Sequence, residues 1–136
     1  MKRIFLFSLL VFFLAACERG SQNPLLGRWL SDEKATLLEA RNAGGMTEQQ
    51  IQQLEKGRVF GRLLAVIDDE QIIFTFDGKS EASPYRVLRI EKPFVDIELF
   101  NTSTGRYENT RIEVHGGRMW VPSALASFRE VFVRVD

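Results

Sequence analysis

The sequence predicts a mainly β domain, an antiparallel meander with a helical pair inserted after its first strand. Three observations carry this. From Phe60 onwards, apolar and polar residues alternate with period two. Short turn clusters, among them Asp77-Gly78 and Gly116-Gly117, separate the alternating runs and favour antiparallel neighbours. Between Asp32 and Gly57, by contrast, helix formers and helix-boundary signals dominate.

The first element lies outside that domain. Met1, Lys2 and Arg3 make a positive start, and Ile4 to Leu14 is a nearly unbroken apolar run. The run falls short of the roughly 20 residues a spanning helix needs. With the small residues Ala15 and Ala16 after it, it has the build of a secretory signal. The sole cysteine of the 136 residues follows at once, and Leu14-Ala15-Ala16-Cys17 resembles the lipobox of bacterial lipoproteins. The resemblance implies removal of residues 1–16 as a lipoprotein signal peptide, a diacylglycerol on the Cys17 thiol, and acylation of the new amino terminus by a chain such as palmitate. Position 18 is Glu rather than the Asp that resembles an inner-membrane retention signal. The expected location is therefore the cell envelope, at the outer membrane on its periplasmic side. With one cysteine, an internal disulfide and a Cys-based metal site are excluded.

Cleavage before Cys17 leaves 120 residues (136 less 16), enough for one domain with a proper core. Residues 17–24 read as a lipidated tether, since Glu18 to Pro24 is polar and holds Gly, Ser, Asn and Pro. Fully extended, that stretch reaches roughly 25 Å. Residues 25–136 form the β domain. Its first strand is Leu25 to Ser31, anchored by Trp29. Asp32 to Ala43 is rich in helix formers and is ended by Gly44-Gly45, although Thr36-Leu37-Leu38 would also suit a strand. Thr47 opens a second helix: Thr47 and Gln50 make a capping box, and Met46 and Ile51 a hydrophobic staple. Ile51 and Leu54 supply a narrow apolar stripe, and Gly57 stops the helix.

Seven strands follow: Phe60 to Ile67, Gln71 to Phe76, Tyr85 to Ile90, Phe94 to Phe100, Arg106 to His115, Arg118 to Val121 and Phe128 to Val135. Val95, Ile97 and Leu99 alternate with Asp96 and Glu98, while Thr110, Ile112 and Val114 alternate with Arg111 and Glu113. Folding this pair at Ser103 puts Val95 beside Ile112 and Asp96 beside Arg111, so that like faces meet.

Gly27-Arg28-Trp29 resembles the G-x-W motif of the calycins, the group of the lipocalins and fatty-acid-binding proteins. The resemblance implies a small barrel closed at one end by Trp29, which packs against a basic residue of the last strand. Arg129 and Arg134 are the basic residues on offer there, so Gly27, Trp29, Arg129 and Arg134 are the expected closure residues. A helix pair between the first two strands is most similar to the fatty-acid-binding branch. That branch has ten strands, against eight here, and its interior basic residues have no recognisable counterpart in this chain.

Little points to catalysis. Lys and Arg total 18 and so do Asp and Glu, which argues against nucleic-acid partners. His115, the only histidine, sits beside Gly116-Gly117 and reads as a turn-flanking residue; alone, it makes a poor transition-metal site. Asp68-Asp69-Glu70 lacks the spacing of a calcium loop and reads as a solvated turn. Asp96 and Glu98 stand about 7 Å apart on one strand face, with Arg111 as a structural partner. No serine lies in a G-x-S-x-G elbow, and no nucleophile, base and orienting group can be nominated together. Trp120 faces away from Met119 and Val121, either as a recognition aromatic or packed under a helix. The expectation is a non-catalytic lipoprotein without cofactor or metal, anchored through Cys17 and binding a small apolar or amphiphilic ligand. The competing expectation is an envelope protein-interaction or assembly module with a filled core. Eight strands allow either, since such a barrel just fills with side chains or holds one small ligand.

Overall fold

A computed structural model describes residues 22–123 and 127–136. The expected signal peptide, residues 1–16, and Cys17 lie outside the described residues. The elements are β1 (Gly27–Ser31), α1 (Glu33–Ala43), α2 (Glu48–Lys56), β2 (Leu64–Ile67), β3 (Gln71–Phe76), β4 (Lys79–Glu91), β5 (Phe94–Asn101), β6 (Arg106–His115), β7 (Arg118–Pro122) and β8 (Arg129–Arg134). Each strand pairs antiparallel with the next, and β8 returns to β1, so the sheet closes into an eight-stranded barrel. Closure leaves no unpaired edge. This is the layout of a small calycin-like barrel, with the helical pair where the change of period places it.

The helices follow their local chemistry. The Asp32 side chain accepts from the Ala35 amide at 3.0 Å and caps α1. Thr36, fully buried, shows why that segment is helical: its hydroxyl accepts from the Val131 amide at 2.9 Å and docks α1 on β8. The capping box of α2 is complete, with the Gln50 amide donating to the Thr47 hydroxyl at 3.2 Å and the Thr47 amide to Gln50 Oε1 at 2.8 Å. Leu37, Ala40, Ile51, Phe60 and Phe128 form a small core beneath the helices, with Met46 and Leu54 packed against it.

The first strand begins at Gly27 rather than Leu25 and the last spans Arg129–Arg134 rather than Phe128 to Val135; two strand starts shift by four residues or more, both for backbone reasons. The second strand begins at Leu64, not Phe60. Arg58 and Gly61 both have positive φ, which breaks the extension and turns Phe60 into the helical core. The fourth strand begins at Lys79 rather than Tyr85. Asp77 and Gly78 have φ of 48° and 75°, the conformation of a two-residue hairpin turn, so Phe76 pairs at once with Lys79.

The β5–β6 hairpin has the register that its alternation dictates, with Val95 opposite Ile112 and Asp96 opposite Arg111. Arg111 grips both oxygens of Asp96, at 2.7 and 3.0 Å, which holds the Asp96 carboxyl below its ordinary range. Arg89 approaches the same carboxylate at 3.7 Å. Asp96→Arg is therefore expected to lower the denaturation midpoint slightly. The double swap with Arg111→Asp should recover only part of the loss, because Arg89 still faces the new arginine. A double-mutant cycle on chemical denaturation checks this, and absence of coupling would contradict the pairing.

Candidate functional site

The barrel has two unlike ends. One carries the turns after β2, β4 and β6; the other carries the helices and the hairpins at 77–78 and 102–105. Strand alternation sends Trp29, Ala65, Ile67, Ile72, Tyr85, Val95 and their neighbours inward, and they pack into one buried core that fills the first end.

Trp29 is wholly buried in that end, and its indole N–H donates to the Leu25 carbonyl at 2.8 Å. Arg134 is its cross-strand partner, with the guanidinium 4.2 Å from the ring centroid. The same guanidinium donates to the carbonyls of Leu26 at 2.7 Å and Pro24 at 3.1 Å, strapping the incoming chain over the barrel end. Gly27 makes room for this: its φ is 129°, and a Cβ there would stand 2.5 Å from the Arg134 guanidinium. The acidic turn belongs to the same closure. Asp68 accepts from the amides of Glu70 and Gln71 at 2.8 Å each, which lowers its pKa, and its carbonyl accepts from the Tyr85 hydroxyl at 2.6 Å.

Arg129 lies elsewhere. It is five residues from Arg134, so strand alternation puts it on the opposite, outer face. There it pairs with Glu113 and with Glu39 at 3.3 Å, and its guanidinium lies 5.9 Å from the Trp120 ring. Trp120 stacks on His115 at 4.6 Å, and His115 Nε2 meets Glu113 at 2.9 Å. Partial burial would raise the Glu113 carboxyl, but bonds from Arg129 and His115 outweigh it and hold it low. Trp120 thus packs on the barrel's outside, bordering α1 near Ala35 and Leu38. Among the described residues, no group of three or more His, Cys, Asp or Glu side chains is placed to hold a metal ion.

The other end is open among the described residues. A recess of about 430 Å³ enters it, with Phe74, Leu99 and Val121 as apolar walls that continue the core. Glu81, Ser83, Glu108 and Thr110 also line it. The register explains their presence: Glu81 stands opposite the inward-facing Phe74, and Glu108 opposite the inward-facing Leu99. Sequence reasoning missed these residues. Glu81 and Ser83 fall in the stretch read as a connection, and Glu108 looks like any exposed strand residue. Counting by twos from Tyr85 and from Ile112 would have found them.

Glu130 also faces inward, opposite Val121 on β7. Burial pushes its carboxyl pKa up, only partly opposed by the Ser31 hydroxyl donating at 2.6 Å. A carboxyl raised in the folded state costs stability as pH climbs from the ordinary 4.5 through the folded value, and the cost persists above it. Glu130→Gln keeps an acceptor for Ser31. It is expected to unfold at a higher denaturant concentration than wild type at neutral pH, with the difference vanishing below about pH 4.

The chain matches no protein-family model, no curated protein and no solved structure.

Proposed function

We propose that this protein binds a small, partly apolar molecule at the mouth of its barrel, without catalysis, while a lipid on Cys17 holds it at the envelope membrane. One observation carries the ligand reading: a closed barrel packed solid around Trp29 at one end opens at the other as a recess of about 430 Å³ with apolar walls and a polar lining. Small-molecule sites run from about 300 to 1,000 Å³, mostly apolar with a few placed polar groups. The anchor reading rests on the lipobox-like residues 14–17. The two fit together sterically. The tether joins the domain at the closed end, where Arg134 holds Pro24 and Leu26, so the mouth is the end away from the attachment. No helix among the described residues is long and apolar enough to cross a membrane.

Native mass spectrometry of the purified protein tests the ligand reading. A co-purified small molecule at one per chain is expected. Leu99→Trp, whose indole would occupy the recess, should lose it while keeping its circular dichroism spectrum. A wild-type protein without adduct, or a variant with the same adduct, would move the assembly-module reading ahead.

A further inference from the structure

We infer that the molecule taken at the barrel mouth is a small organic cation, an amine or amidine on an apolar body. This rests on the mouth being the binding site and adds the sign of the ligand's charge.

Among the described residues, two carboxylates, Glu81 and Glu108, line the recess, and no basic side chain does. Their partners are neutral donors. The Thr102 hydroxyl donates to Glu81, and Glu108 accepts from the Asn101 amide at 3.1 Å and the Thr104 hydroxyl at 3.4 Å. Neither has an ion pair among the described residues. The barrel's outer face behaves differently: Asp96, Glu98 and Glu113 each meet an arginine there. Lys79 and Arg106 are the next residues outward along the inward faces of β4 and β6; both are exposed and neither lines the recess.

Ser83 is an independent observation. It is 6% exposed and lines the same recess, yet its hydroxyl makes no hydrogen bond to any described residue. Its oxygen is not sealed in the core but open to the recess, where an ammonium or amidinium N–H would meet it. The recess thus presents two uncompensated negative charges, a free acceptor and Phe74, Leu99 and Val121 as walls. Both glutamates are exposed at the rim, and negative charge gathered at a concave site concentrates cations and repels anions. A fatty acid or other anionic amphiphile would bring its carboxylate against Glu81 and Glu108.

Phenylbutylamine, phenylbutanol and phenylbutanoate share one apolar body and differ in charge. Each is titrated into the purified whole protein while the backbone amide resonances of Ser83, Leu99 and Thr110 are followed by NMR. The amine should bind about tenfold or more tighter than the carboxylate, with the alcohol between, and added salt should shrink the gap. The double variant Glu81→Gln with Glu108→Gln should bring the amine to the affinity that the alcohol shows for the same variant. If the carboxylate binds as tightly as the amine, or the double variant keeps the full preference, the charge assignment is wrong and the mouth site stands. If none of the three shifts those resonances, the mouth site falls and the charge assignment with it.

Discussion

Trp29→Ala is expected to destabilise the protein by about 3–5 kcal/mol, the usual range for deleting a buried aromatic side chain. The site offers little room to relax. Trp29 and Leu25 are both wholly buried, and the truncation leaves the Leu25 carbonyl without the indole donor. Arg134 loses the ring on which its guanidinium rests, and with it the alignment that straps Pro24 and Leu26 over the barrel end. A domain of this size has about 5–15 kcal/mol in all, so the variant should stand near the edge of folding. Trp29→Phe keeps an aromatic body and should cost less, though it too leaves the Leu25 carbonyl unpaired. Chemical denaturation followed by circular dichroism reads both without relying on tryptophan emission. An unchanged midpoint for Trp29→Ala would show that the closed end tolerates a void and that the Trp29–Arg134 contact contributes nothing. Because the recess lies at the other end of the barrel, the fraction that stays folded should keep its ligand-binding capacity.

Cys17→Ser is expected to abolish lipid attachment, with no effect on the barrel. The thiol is the acceptor that the lipobox resemblance implies, and a hydroxyl does not replace it. Each buried CH₂ of an acyl chain is worth about 0.8 kcal/mol, so losing the chains removes the anchoring that the lipid would supply. Metabolic labelling with palmitate should vanish, and unprocessed precursor should accumulate. A variant labelled as strongly as wild type would refute the lipoprotein reading. This outcome is independent of the first, because the tether and the Trp29 core share no residue.

The elements of this fold are legible in the sequence wherever a local rule sets them. The Thr47–Gln50 box needs only four consecutive residues to define a helix start. The β5–β6 register follows from alternation on two neighbouring strands and a short connection. Elements fail to be legible where the backbone conformation of a single residue overrides the pattern. Asp77 with positive φ joins β3 to β4 without a gap, and Gly61 removes Phe60 from the sheet. The G-x-W segment identifies Trp29 as an anchor, but the choice of Arg134 over Arg129 as its cover depends on strand parity measured from residues the motif does not contain.

What the sequence by itself determined is therefore the short-range part: the class of fold, the helical pair and its caps, the eight strands, and the candidate anchor at Cys17. These depend on periodicities and spacings within a few residues. What only the tertiary structure decided is which faces meet once the sheet closes. β8 pairs with β1 across the length of the domain, and that closure separates a packed end from an open one. It also gathers Glu81, Ser83, Glu108 and Val121 from three separate strands onto one recess. Their side chains look like ordinary strand residues in sequence, because the property that unites them is a shared inward direction. That direction is set by register between strands far apart in the chain, which no local pattern encodes.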